Sequence, residues 1–158
     1  MCPVTALVPE LKFSEAKTGL SSVMNEVVRE GRPQLVQRNK ETMVLVRSDD
    51  LRRWLDTFRL TFRVVLDEGE VGITAEPVGV LGLGESVDEA LDDLLVELTA
   101  YTHRFFERPN FYLETDAARH YPWLLRFALT HPDEQRDLLV ADVEASMPSG
   151  NQAVASAV

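Results

Sequence analysis

The feature that most constrains the fold is an amphipathic segment that begins at Ser86. Ser86 and Glu89 have the spacing of a capping box, in which a hydroxyl and a carboxylate accept the free N–H groups of a helix start. Apolar residues then recur every three or four positions, the period of one buried helical face. They are Val87, Ala90, Leu91, Leu94, Leu95, Leu98, Tyr101 and Phe105. The segment predicts a long helix packed on other elements.

Strand patterns precede this helix and helical patterns follow it. The stretch "LTFRVVL" alternates like a strand, "DEGE" suits a turn, and "VGITAEPV" returns as a second strand. After an ambiguous stretch at 107–118, "ARHYPWLLRFALT" predicts a helix with Pro122 near its start. The stretch "HPDEQRDLLVADVEA" predicts another, with Pro132 in its first turn.

The first 58 residues predict a compact β-α-β-β-α order. Residues 4–13 are typical of a short strand or extended arm, and Ser14 has the chemistry of a helix N-cap. The predicted helix ends at Gly31, in a left-handed conformation, and Pro33 blocks its continuation. Its predicted buried face comprises Ala16, Leu20, Val23, Met24, Val27 and Val28.

A hairpin and a second short helix complete this first part. Two Val- and Thr-rich strands flank Asn39 and Lys40, which suit a tight turn because Asn tolerates positive φ. Ser48 and the two acids after it favour a helix start. The residues predicted to be buried there are Leu51, Trp54, Leu55 and Phe58.

These patterns predict an α+β protein with two domains. Residues 1–58 form the first, residues 59–146 form a small α+β domain with C-terminal helices, and residues 147–158 are predicted to be a disordered tail. The balance of basic and acidic residues also changes at the boundary between residues 58 and 59. Residues 1–58 carry nine basic and eight acidic residues, whereas residues 59–158 carry seven and eighteen, out of a total net charge of -10.

The difference in charge indicates that the two predicted domains bind different kinds of partner. An acidic domain repels nucleic acid, whereas a nearly neutral domain with clustered cations need not. Lys12 and Lys17 lie near the predicted start of the first helix, where the helix dipole favours anions, so an anionic ligand such as phosphate is indicated. The alternative is that acidity only aids solubility and that each lysine is simply solvated.

Several classes of protein receive no support from the sequence. No apolar run approaches the ~20 residues of a membrane span, and no secretory signal is recognisable. The single cysteine, Cys2, agrees with a reducing cytoplasm. The three histidines lack partners at metal-ligand spacing and are interpreted as surface or helix-end residues. We therefore expect no enzyme, no catalytic residue, no cofactor and no metal.

The stretch "KFSEAKTGLSSVMNEVVREGRPQLVQRNKETMVLVRSDDLRRWLD" resembles the Phd/YefM family of antitoxins. The resemblance implies an intertwined homodimer that docks on palindromic operator DNA, with pairing of dimers left open. On the matching positions it implies DNA contacts by Ser14, Lys17, Thr18, Arg38 and Lys40, with Lys12 added for its proximity.

Two departures from the family pattern affect these expectations. Lys17 stands where the family often has Arg, so we expect it to bind phosphate more than base edges. The usual hairpin glycine is replaced by Asn39 and Lys40, and Arg38 has the alternative role of a cross-strand partner for Glu41.

The segment "GLGESVDEALDDLLVELTAYTHRFFE" is similar to HicB-type antitoxin domains, although the family's Pro-Gly-Cys is absent. The resemblance of residues 60–106 implies a β-β-β-α unit with a toxin-binding or assembly surface. Because toxins that act on RNA are generally basic, exposed acids of the long helix are candidate contacts. They are Asp88, Asp92, Asp93 and Glu97, with a solvated helix face as the alternative.

Together these features predict an antitoxin of a type II toxin–antitoxin system. It would neutralise a cognate toxin and repress its own operon by binding operator DNA as a dimer. The competing hypothesis is an acidic protein-binding scaffold that keeps the dimeric unit but no longer binds DNA.

Overall fold

The computed structural model describes Val8 and residues 10–146. Three parts of the chain discussed above therefore lie outside the described residues. They are most of the predicted N-terminal arm before Glu10, the residue Cys2, and the predicted disordered tail at 147–158. The chain divides into two compact units between Trp54 and Leu55, whereas the predicted domain boundary follows residue 58. No described helix has the length and apolar character needed to cross a membrane.

Unit 1 follows the predicted order of elements, with its first helix broken in two. Its elements are β1 (Glu10–Lys12), α1 (Phe13–Thr18), α2 (Leu20–Val28), β2 (Gln34–Arg38), β3 (Glu41–Leu45) and α3 (Ser48–Leu55). The three strands form one sheet in the order β1-β2-β3, in which β1 is parallel and β3 antiparallel to β2.

Local turn chemistry in unit 1 agrees with the sequence predictions. Gly31 has φ of 66° after α2, and Asn39 has φ of 58° in the hairpin turn, so the left-handed conformations predicted for both positions are confirmed. The helix predicted to begin at Ser48 does begin there. Ser14, by contrast, is not an N-cap: α1 begins at Phe13, so Ser14 lies inside its first turn.

The buried face predicted for the first helix is only half correct. Four apolar side chains are buried in unit 1, namely Ala16, Val23, Val27 and Val36. Leu20, Met24 and Val28 are 56%, 51% and 49% exposed. Trp54, also predicted to be buried, is exposed. The reason is size, because a sheet with strands of three to five residues covers only part of a helical stripe.

Unit 2 joins a second three-stranded sheet to a group of helices, which confirms the predicted α+β class. Its antiparallel strands are β4 (Thr61–Asp67), β5 (Glu70–Glu76) and β6 (Val80–Gly84), in the order β4-β5-β6. Its helices are α4 (Val87–Glu107), α5 (Pro109–Leu113), α6 (Tyr121–Ala128) and α7 (Gln135–Ser146), with short 3-10 helices at Asp116–His120 and Pro132–Glu134.

The long helix α4 packs across β5 and β6, as its apolar stripe predicts. Its buried residues are Ala90, Leu91, Leu94, Leu98, Thr102 and Phe105, whereas Val87 is exposed. The Glu89 N–H donates to Ser86 Oγ at 3.2 Å, which confirms the N-cap. The Glu89 carboxylate accepts from the N–H of Glu85, one residue earlier than a standard capping box requires.

A buried ion pair joins α6 to α7 and was not anticipated. Arg126 Nη1 and Nη2 donate to the two carboxylate oxygens of Asp142 at 2.6 and 3.0 Å. Asp142 Oδ2 also accepts the N–H of Leu60 at 3.0 Å, immediately before β4. One carboxylate thus connects two helices and the start of the sheet.

Candidate nucleic-acid interface and acidic helix face

The candidate DNA-binding residues of unit 1 are all exposed. They are Lys12, Ser14, Lys17, Thr18, Arg38 and Lys40. Parallel pairing sets Lys12 opposite Gln37, the residue before Arg38. Arg38 then extends over the ring of Phe13, with its Cζ 5.2 Å from the ring centroid, which is cation–π distance. The sheet therefore brings the end of β2 beside the start of α1.

The start of α1 already has an anion. The Lys12 N–H donates to Glu15 Oε2 at 3.0 Å, so a carboxylate from within the helix lies beside the helix start proposed for a phosphate. Sequence reasoning missed this role of Glu15, although its acidic side chain in the first turn is the signal. We therefore expect phosphate contacts from the cationic side chains more than from the N–H groups of this helix start.

The placement of Lys17 at a helix start is wrong. Gly19 interrupts the helix with φ of -99° and ψ of 27°, and its N–H bonds to the Glu15 carbonyl. Because α1 is only six residues long, Lys17 lies in its last turn, where the dipole favours a cation. Thr18 lies beside it, and its hydroxyl donates to the Ser14 carbonyl at 2.9 Å.

The basic residues of unit 1 differ in whether they form ion pairs. Three exposed arginines form ion pairs with neighbouring acids: Arg32 with Glu26, Arg52 with Asp49, and Arg53 with Asp50. Over the described part of the chain, the four candidate DNA-binding cations Lys12, Lys17, Arg38 and Lys40 make no ion pair, although Arg38 lies opposite Glu41 in the hairpin. Their charge is available to an anionic partner.

The exposed acids of α4 mostly have partners within unit 2. Arg136 of α7 donates to Asp92 at 2.8 Å and to Asp88 at 3.3 Å, and the hydrogen bond to Asp92 raises the pKa of the Arg136 guanidinium. Asp93 accepts the N–H of Leu83 at 2.9 Å. Glu97 is exposed. With about 3.6 residues per turn, Asp88 and Asp92 lie on one side of α4, and Asp93 and Glu97 lie on another. Arg136 neutralises part of the charge of the first pair.

His120 is a helix-end residue, as expected, because it ends the 3-10 helix Asp116–His120 and directly precedes α6, but it is buried instead of solvated. Its ring is buried, and Nδ1 lies 2.9 Å from the Tyr101 hydroxyl. Burial lowers the pKa of the His120 imidazole below its usual range. Over the part of the chain that the structure describes, no three His, Cys, Asp or Glu residues converge as a metal site.

Comparison with known proteins links both units to one group. Residues 7–142 match the model of the PHD-like family, described as antitoxin of toxin–antitoxin, RelE/RelB, TA system. A crystal structure from Syntrophomonas wolfei subsp. wolfei, described as the antitoxin part of a proposed toxin/antitoxin system, has a similar fold. It superposes with a TM-score of 0.72 at 20% identity, over 82% of this chain and 94% of that one. Comparison with curated proteins gave no match. The chain therefore belongs to the PHD-like family of antitoxins from toxin–antitoxin systems of the RelE/RelB type.

Proposed function

We propose that this antitoxin is of the Phd/YefM kind and represses its own operon. Residues 1–58 form a homodimer on operator DNA, and residues 59–146 bind and neutralise the cognate toxin. The observation that carries the DNA-binding part is the set of exposed cations without ion pairs in the hairpin, at the start of α1 and in its last turn. These side chains supply the sequence-independent phosphate contacts on which DNA affinity largely depends.

The apolar surface of unit 1 supports the homodimer. Leu20, Met24 and Val28 follow one another at intervals of four residues and form a single exposed stripe along α2. A unit with four buried apolar residues gains little stability alone, and a contiguous apolar patch is typical of a protein interface. A second copy that covers this stripe would complete the core and bring two sets of cations together.

Replacing three of these cations is expected to abolish specific DNA binding. In the variant Lys17→Ala, Arg38→Ala, Lys40→Ala, each dimer loses up to six phosphate contacts. Affinity for the upstream DNA of its own operon should fall by at least about 100-fold, and the slope of log K against log salt should decrease by about 5. Mobility-shift titrations at several salt concentrations measure both quantities.

The matched control removes the same charge elsewhere in unit 1. Arg32, Arg52 and Arg53 are exposed and ion-paired, so the triple alanine variant at these positions should keep most of the affinity. If both triple variants bind alike, the assignment of the DNA surface is wrong. If the unmodified protein gives no specific shift, the acidic scaffold is the better explanation.

The exposed acids of α4, on two sides of the helix, are proposed as the toxin contact. An acidic surface steers a basic partner and raises its association rate. Removing four charges with Asp88→Asn, Asp92→Asn, Asp93→Asn and Glu97→Gln should slow association with the cognate toxin by about tenfold at low salt, with a smaller effect at high salt. Stopped-flow or surface plasmon resonance measurements give the rates.

A second quadruple variant controls for net charge. Glu114, Asp116, Asp133 and Glu134 are also exposed acids of unit 2 but lie outside α4. Their amide variants change the net charge by the same amount and should leave the association rate within about twofold. Equal slowing by both variants would show a general charge effect and no specific toxin surface on α4.

A further inference from the structure

Strand β4 is an exposed edge in unit 2. In the sheet order β4-β5-β6 it pairs with β5 alone over the residues that the structure describes. Three consecutive apolar residues at its centre, Val64, Val65 and Leu66, are 45%, 54% and 75% exposed. A long apolar edge with free N–H and C=O groups is a template for another strand, and proteins normally cover or interrupt such edges.

The turn that follows β4 determines which backbone groups are free. Glu68 and Gly69 both have positive φ, 44° and 90°, as in a two-residue type I′ hairpin turn. Asp67 and Glu70 are therefore the hydrogen-bonded pair that closes the hairpin. By alternation, the N–H and C=O groups of Phe62, Val64 and Leu66 point towards the free edge.

The side chains of β4 are complementary to those of an antiparallel copy. If two β4 strands pair about a twofold axis at Val65, each Val64 lies opposite Leu66 of the second copy and shares the hydrogen bonds of the free edge. In the same register each Arg63 lies opposite Asp67 of the second copy, so two opposite-charge pairs flank the apolar centre. A shift to a centre at Val64 would instead set Arg63 against Val65 and leave both charges without partners.

We propose that β4 pairs with β4 of a second copy of this chain in that register. The two sheets then form one six-stranded antiparallel sheet in the order β6-β5-β4-β4-β5-β6. The second copy is favoured over a strand of another protein because the charges and apolar residues of β4 complement each other. This contact lies in unit 2, and its geometry is independent of the α2 stripe and of DNA or toxin binding.

A disulfide placed on the twofold axis tests the register directly. The full chain with Cys2→Ser and Val65→Cys should form a covalent dimer rapidly under mild oxidation, because the two residues at 65 are a closely spaced non-hydrogen-bonded pair. The matched variant with Cys2→Ser and Arg63→Cys should form it at least tenfold more slowly, since its cysteines are separated by roughly 13 Å along the strands. Similar rates for both variants, or no disulfide at position 65, would overturn the proposal.

Charge reversal gives a second, non-covalent test. Arg63→Asp or Asp67→Arg creates two like-charge pairs and should weaken self-association through unit 2 by about tenfold in sedimentation velocity, whereas the double reversal should restore it to within about threefold. Arg63 also contacts Glu76 within the chain at 3.5 Å, so Glu76→Gln is the control and should leave association unchanged. Failure of the double reversal to restore association would contradict the register. A dependence of association on added toxin would assign the edge to the toxin instead.

Discussion

Replacing Asp142 with Ala is expected to lower the free energy of unfolding by about 3–5 kcal/mol. Asp142 is 1% exposed and accepts both Arg126 Nη groups and the N–H of Leu60. Its removal leaves a buried guanidinium without its main counter-charge and a buried N–H without an acceptor. Asp56 is a poor substitute, because its exposed carboxylate lies 3.8 Å from Arg126 Nε. Urea denaturation followed by far-UV circular dichroism measures the loss.

Two controls separate the buried pair from a general effect of losing an acid. Asp133→Ala removes an exposed carboxylate and should change stability by no more than about 0.5 kcal/mol. The double variant Arg126→Met, Asp142→Leu replaces both charges by apolar groups and should recover the part of the loss that comes from the unpaired guanidinium, but not the part that comes from the Leu60 N–H. A loss below about 1 kcal/mol for Asp142→Ala would show that the pair contributes little.

Gly82→Ala is expected to cost about 3 kcal/mol or more, at the upper end for overpacking. A Cβ on Gly82 would lie 2.5 Å from the Leu94 backbone nitrogen and even closer to the Ala90 carbonyl oxygen. Both obstructing atoms belong to the backbone of α4, so no side-chain rotation relieves the clash. The helix must move away from β6, which weakens the contacts of Leu94 and Leu98 in the core.

Gly72→Ala in β5 is the matched control for this effect. A Cβ there meets only ordinary contacts, 3.5 Å from Leu83 Cδ2 and 3.6 Å from Leu81 Cδ1. Alanine should therefore be neutral or slightly stabilising at this position, because it restricts the unfolded chain more than glycine does. Equal stability of the two alanine variants in denaturant titrations would show that α4 does not pack as closely on β6 as the structure indicates.

Elements defined by short-range chemistry were predictable. The Ser86 N-cap, the positive φ of Asn39 and Gly31, and the helix starts at Ser48 and near Pro122 all depend on interactions within about four residues. The apolar stripe of α4 was equally predictable, because the spacing of apolar residues recurs several times over a helix of 21 residues. These signals are local, so they do not depend on tertiary contacts.

Side-chain burial and the polar contacts of the candidate surfaces could not be predicted from local sequence patterns. Periodicity shows which residues share a helix face, but not whether a second element is large enough to cover that face, so the exposed stripe along α2 was unexpected. Lys17 lies at a helix end, and not at the predicted helix start, because Gly19 interrupts the helix.

By itself, the sequence determined the α+β order of elements, the acidic character of unit 2 and the turn at residues 67–70 that joins β4 to β5. Only the tertiary structure decided that Arg126 meets Asp142 across 16 positions, that Arg38 lies over Phe13 and that β4 is an edge. The physical reason is that local propensity acts between neighbours in the chain, whereas burial and ion pairing depend on residues brought together by packing.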